Sequence, residues 1–137
     1  MTHVMLVGTD SALLEGLAQS LAALGHAPQV ARSLAEAREL TAGHPPLVLV
    51  VDRALASSAG AELLSAPLAA GGARLLYRTA TSPLAPLLPA LQRAVLADLT
   101  LPLERHRLAA LVQSVGERAR LAGRTVPRNT PPESRTL

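Results

Sequence analysis

The chain has 137 residues, enough for one domain with a single hydrophobic core and too few for two domains of ordinary size. It contains no Phe, no Trp and one Tyr, so it offers no set of aromatic side chains on which single-stranded nucleic acid could stack. The net charge is only +3, and the pI of about 11.0 reflects the absence of Lys and Cys rather than a large charge. Nucleic-acid binding is therefore not expected.

The composition also indicates the cellular compartment in which the protein is expected. Without Cys the chain can form neither disulfides nor thiolate metal sites. Its apolar stretches are shorter than the roughly 20 residues that span a bilayer, and its start lacks the basic region of a signal peptide. We expect a soluble cytoplasmic protein that does not contact membranes.

The first part of the chain alternates between strand and helix patterns. Residues 4–7 form a short apolar strand, and residues 28–32 form the second. Between them, Asp10 offers an N-cap oxygen and Gly25 a C-terminal stop for a helix with one apolar face. A capping box at residues 33–36 starts a second helix, which runs to about residue 40. The leucines of the first helix face are Leu13, Leu14, Leu17, Leu21 and Leu24.

The middle of the chain continues this alternation. Residues 47–51 are apolar at every position, which is typical of a central parallel strand covered on both faces. Small residues at 54–60 predict a loop, residues 61–64 a short helix, and residues 73–77 the fourth strand.

The last part of the chain contains two helices and a weak strand. A helix is predicted at 84–95, where Pro89 should bend or shorten it. A weak fifth strand follows at 97–101, then a final amphipathic helix at 103–122. Residues 123–137 are rich in Pro and Arg and poor in apolar side chains, so we expect a domain at 1–122 and a disordered C-terminal tail at 123–137.

Five strands that alternate with helices predict an α/β fold. The expected architecture is a flavodoxin-like, doubly wound, five-stranded parallel sheet of order 2-1-3-4-5 with helices on both faces. In such a sheet the functional crevice lies at the carboxyl ends of the first and third strands, where Gly8, Thr9, Asp10 and Asp52 fall.

The spacing of a few residues makes the interpretation more specific. Asp52 closes the third strand eight residues before Gly60, Thr79 follows the fourth strand, and Pro102 follows the fifth. These spacings resemble those of CheY-like response-regulator receiver domains over residues 3 to 122. The resemblance implies that Asp52 is the phospho-acceptor position, Thr79 the switch hydroxyl position and Pro102 a candidate cis-proline.

Other residues depart from the receiver pattern. Gly8 and Thr9 stand where receivers have an acidic pair, Asp10 matches a third acidic position, and Leu101 stands where they have a lysine. Asp98 lies near the position of the aromatic switch residue. Mg²⁺ is usually held by carboxylates and water, so we expect weak or absent Mg²⁺ binding and no other cofactor. Loss of the lysine removes a contact worth about 4 kcal/mol at 4 Å and an effective dielectric constant of 20.

These departures predict a degenerate receiver, or pseudo-receiver. It would be a non-enzymatic signalling module of the two-component (phosphorelay) type that acts by protein–protein interaction without Mg²⁺-dependent phosphorylation. Arg53 or Arg78 could neutralise the remaining carboxylate of Asp52, which could also simply cap a loop.

Two alternatives remain. One is a functional response regulator phosphorylated on Asp52. The other is a small-ligand-binding flavodoxin-like protein. The sequence argues against it, because it has neither an aromatic residue that could stack on a flavin nor a glycine-rich loop that could hold a phosphate.

The expected partner is another protein. Receivers commonly pair through the surface made by the fourth helix, the fifth strand and the last helix. Leu84, Leu87, Leu88 and Leu91 put more apolar residues there than one helix face can bury, which predicts a homodimer or a partner contact on that surface.

Overall fold

The computed structural model describes residues 2–58, 60–80 and 87–128. Its five strands form one sheet of order β2-β1-β3-β4-β5, and every neighbouring pair is parallel. The strands are β1 His3–Val7, β2 Ala27–Ala31, β3 Val48–Asp52, β4 Ala73–Arg78 and β5 Val95–Thr100. The helices are α1 Ser11–Ala23, α2 Leu34–Leu40, α3 Arg53–Ser58, α4 Gly60–Ser65, α5 Pro89–Ala94 and α6 Arg105–Arg128.

Helices cover both faces of the sheet. Side chains alternate along a strand, so each strand sends every second residue to one face. Val50 and Leu75 pack with α1 and α6, whereas Leu49 and Leu76 pack with α2, α3, α4 and α5. The predicted architecture and strand order are confirmed.

The predicted loop at 54–60 is wrong. Most of that segment is helical, in α3 and the start of α4. The backbone N–H of Ala54 donates a hydrogen bond to Asp52 Oδ1 at 2.9 Å, so the strand-end carboxylate caps the turn in which α3 begins. The prediction was based on the small size of these residues, which is typical of a loop. Ala, however, has the highest helix propensity, and the segment is rich in Ala.

The boundaries near the end of the chain also differ. The described part of the predicted helix at 84–95 is α5, which begins at Pro89 because proline fits the first helical turn, where its missing N–H costs nothing. Val95 already belongs to β5. The helix α6 continues to Arg128, so the predicted end of the last helix at about 122 is wrong, whereas the division into a domain and a tail stays a prediction. Residues 84–86 and 129–137 lie outside the described part of the chain.

Arg74 links the sheet to the end of α4. Its guanidinium donates hydrogen bonds to the carbonyl oxygens of Leu63, Leu64 and Ala66 at 3.0, 3.1 and 2.7 Å. The Leu63 carbonyl also accepts a hydrogen bond from the Ala66 N–H at 3.2 Å, and a cation at this end of α4 offsets the negative end of the helix dipole. Among the described residues, no helix has the length and apolarity needed to cross a bilayer.

Candidate functional site

Three residues form a row at the carboxyl edge of the sheet. Val7 pairs with Val51, so the next residues along β1 and β3 bring Gly8 beside Asp52. Asp52 in turn pairs with Tyr77 of β4. Strand alternation directs all three positions to the face covered by α1 and α6. The crevice expected from the fold is therefore lined by this row.

The two carboxylates of the crevice both act as helix caps. Asp52 is half-buried and its Oδ1 accepts the hydrogen bond from Ala54 that starts α3. Asp10 is exposed, and its Oδ1 accepts a hydrogen bond from the N–H of Leu13 at 3.1 Å, which caps α1. Thr9 lies exposed between the strand and this cap. One oxygen of each acidic side chain is thus already engaged with the backbone.

Tyr77 fills the space beside Gly8. A Cβ atom added to Gly8 would lie 2.1 Å from Tyr77 Oη, 3.2 Å from Tyr77 Cζ and 3.3 Å from Leu14 Cδ1. Tyr77 is 1% exposed, and its hydroxyl has no hydrogen-bond partner among the described residues. Burial, together with the negative charges of Asp52 and Asp10, raises the pKa of Tyr77 well above its usual range, so the phenol is neutral.

Sequence reasoning missed this residue. Tyr77 is the single aromatic residue of the chain, and it stands two positions before Thr79 on the face of β4 that also carries Leu75. That combination was a signal that the crevice holds a large side chain. Strand periodicity shows which face a residue occupies but not how far its side chain reaches along that face.

Leu101, the position predicted for a receiver lysine, belongs to the core. Leu101 is fully buried and packs in the same cluster as Leu99 and Leu108. The peptide bond between Leu101 and Pro102 is cis. Thr79 is half-buried and directly follows β4, two residues beyond the level of Asp52.

An ion pair joins two other positions at this edge of the sheet. Arg53 Nη1 donates to Asp98 Oδ2, and the two side chains are 15% and 32% exposed. Asp98 pairs with Leu76 in the sheet, so the ion pair lies on the face covered by α3, α4 and α5. Arg53, which the sequence offered as a neutralising partner of Asp52, thus pairs with Asp98, the residue predicted to lie near the aromatic switch position.

The residues present do not fit a magnesium site. Mg²⁺ requires near-octahedral oxygen coordination, usually with one or two carboxylates that keep free oxygens. In residues 2–58, 60–80 and 87–128 no group of three or more His, Cys, Asp or Glu side chains converges as a metal site would require. The Tyr77 hydroxyl also takes the volume next to Gly8 into which an acidic side chain would project.

Several solved receiver domains and response regulators have a similar fold. A response regulator receiver domain protein (CheY-like) from Methanospirillum hungatei JF-1 is 16% identical with a TM-score of 0.64, covering 88% of this chain and 98% of its own. The signal receiver domain of a putative Luxo repressor protein from Vibrio parahaemolyticus is 17% identical with a TM-score of 0.67, covering 90% and 96%. A putative response regulator from Chloroflexus aurantiacus J-10-fl is 19% identical with a TM-score of 0.64, covering 83% and 96%.

Sequence comparison alone does not find this likeness. No protein-family model matches the chain, and no curated protein sequence does so. The structural similarity extends over most of the chain and over nearly all of each receiver domain. The chain therefore has the fold of a CheY-like response-regulator receiver domain.

Proposed function

We propose that this protein is a receiver-like signalling module that acts through protein contacts and is not switched by Mg²⁺-dependent phosphorylation. In this capacity it would work in the cytoplasm as a non-enzymatic component of a two-component type system. The observation that carries the proposal is the state of the crevice. Asp52 stands at the phospho-acceptor position, but its surroundings supply neither the acidic pair nor the lysine of a working receiver.

The charges around Asp52 explain why phosphoryl transfer would be slow. Transfer to a carboxylate brings several negative oxygens together, and catalysis depends on cations placed beside them. Leu101 is buried among aliphatic side chains, so no ammonium group stands at the lysine position. Asp10 and Asp52 are the acidic side chains described beside the crevice, and each already accepts a backbone hydrogen bond in a helix cap.

Intact-mass spectrometry after incubation with Mg²⁺ and acetyl phosphate tests the proposal. We expect no phosphoryl adduct on this protein, while a receiver with the complete acidic pair and lysine, treated in parallel, gains one. The chain contains no Lys, so acetyl transfer to ε-amines cannot obscure the result. Stoichiometric phosphorylation that disappears in Asp52→Asn would establish a working response regulator instead.

The proposed contact surface comprises α5 with its N-cap residue, β5, and the start of α6 with the turn that precedes it. Leu91 is buried there and Leu87 packs against the core, whereas Leu88 is 62%, Leu96 47% and Leu103 80% exposed. Leu84 lies outside the described residues. Because β5 is the last strand in the sheet order, this surface is also a sheet edge that a second copy could cover.

A homodimer is the occupant we propose for this surface, because a two-fold contact covers the same leucines on both copies at once. Leu88→Ser together with Leu96→Ser should shift the mass measured by multi-angle light scattering from dimer toward monomer. Leu40→Ser is a matched control, because Leu40 is 45% exposed at the end of α2 on another part of the surface. A wild-type monomer at high concentration would refute the dimer and leave the proposal on phosphorylation unaffected.

A further inference from the structure

Tyr77 has two properties that its place in the core does not explain. Its hydroxyl is buried without a hydrogen-bond partner among the described residues, and its ring extends to Gly8 although β3 lies between their strands. A buried hydroxyl without a partner loses its hydration and gains nothing in return. A phenylalanine would fill the same core volume without that loss, so packing alone does not account for a tyrosine.

The position of the hydroxyl connects it with the crevice. Neighbouring strands lie about 4.8 Å apart, so the side chain of Tyr77 crosses β3 at the level of Asp52 to approach the end of β1. The ring packs in the cluster with Leu14 and Leu101, which restricts its movement. The hydroxyl therefore stands in the volume that any side chain at position 8 would enter.

We propose that Tyr77 is an internal plug, whose ring and hydroxyl occupy the part of the crevice that a metal ion or small ligand held between position 8 and Asp52 would need. Gly8 and Tyr77 are then a matched pair, since glycine leaves room for the hydroxyl and the hydroxyl excludes other residues from position 8. The plug deepens the proposed function, because it closes the crevice by volume in addition to the missing charges.

A double-mutant cycle tests the matched pair without any phosphorylation assay, so its result is independent of the proposed function. The closest contact of the added Cβ is with the hydroxyl oxygen, which Tyr77→Phe removes while it keeps the ring. Gly8→Ala should lower the urea midpoint of unfolding of the full-length protein clearly in the tyrosine background and much less in the Tyr77→Phe background. A variant that folds only in the Tyr77→Phe background also supports the plug.

The control is Gly16→Ala in the same two backgrounds. A Cβ atom at Gly16 meets nothing within 4 Å, so its effect on the midpoint should be the same with Tyr77 or Phe. The plug is overturned when Gly8→Ala shifts the midpoint equally in both backgrounds, or prevents folding in both.

A binding experiment tests the consequence for ions, with Mg²⁺ alone as the probe. Gly8→Asp with Thr9→Asp supplies the two absent carboxylates, and Tyr77→Val added to this pair removes the plug. Calorimetric titration of the folded variants should detect Mg²⁺ binding in the triple variant and none in the double variant. Equal binding, or an equal lack of binding, in the two folded variants would show that Tyr77 does not control access to the crevice.

Discussion

The ion pair between Arg53 and Asp98 should contribute measurably to stability. It joins the first residue of α3 to the edge strand β5 and passes over β4, so it links elements that are far apart in the sequence. We consider Arg53→Met, Asp98→Asn and the double variant. Each substitution removes one charge while it keeps most of the side-chain volume.

The expected coupling energy between Arg53 and Asp98 follows from how deeply the two side chains are buried. Exposed ion pairs contribute about 0.2–1 kcal/mol, whereas hydrogen bonds to charged groups contribute about 1.5–3 kcal/mol. Arg53 is only 15% exposed, so the coupling energy should be about 1.5–2.5 kcal/mol. Arg53→Met should be the more costly single change, because Asp98 Oδ1 is already buried with no partner in the described part of the chain, and Oδ2 would then lose its partner too.

Urea unfolding of the four proteins at neutral pH measures this coupling. It should persist at about 0.5 M salt, because partly buried pairs are screened less than exposed ones. The pair of Arg107 with Glu104 is the control: Arg107 is 53% exposed, so Arg107→Met should change stability by less than about 0.5 kcal/mol. A coupling below about 0.5 kcal/mol for Arg53 and Asp98, or one abolished by salt, would refute the reasoning.

Three further predictions concern the core, a helix end and pH. Leu101→Ala should destabilise the protein by about 2–5 kcal/mol in thermal unfolding, whereas Leu103→Ala, at an 80% exposed position, should stay within about 0.5 kcal/mol. Arg74→Met should cost about 2 kcal/mol and speed amide exchange in α4, because three carbonyl oxygens lose the hydrogen bonds that the guanidinium donates. The hydrogen bond from the Thr100 N–H lowers the pKa of Glu104 below its ordinary 4.5. This stabilisation is therefore present above pH 4.5 and lost as the pH falls through the lowered pKa, so the deficit of Glu104→Gln in the free energy of unfolding should shrink as the pH is lowered below 4.5.

The fold was predictable because its signals are local and repeated. The run at 47–51 is apolar on both faces, and helix α1 carries its leucines at helical spacing after an Asp10 cap. Such patterns identify elements, and the right-handed crossover rule then arranges them in a parallel sheet. The wrong prediction of a loop at 54–60 has a local cause too. Asp52 was assigned to the crevice, but its side-chain oxygen also caps the start of α3.

The side-chain arrangement of the crevice was predictable only in part. Asp52 and Gly8 were placed at the correct edge because their strands end there. The contact of Tyr77 with Gly8 and the pair of Arg53 with Asp98 depend instead on how far long side chains reach across neighbouring strands. Arg53 and Asp98 are 45 positions apart in the sequence. The periodic pattern of apolar residues identifies single helices and strands and does not reveal a contact over that separation.

The predicted departures from the receiver pattern are connected through these contacts. Gly8 stands at the position predicted for a receiver acid, and the space beside it holds the Tyr77 hydroxyl. Leu101 stands at the position predicted for a receiver lysine, and it packs in the same cluster as the Tyr77 ring. An acid at position 8 would meet the hydroxyl, and a lysine at 101 would bring a charge into an aliphatic core. The acid at position 8 would therefore lack space, and the lysine at position 101 would lack a polar environment. Restoring either residue alone would not restore the site of a receiver.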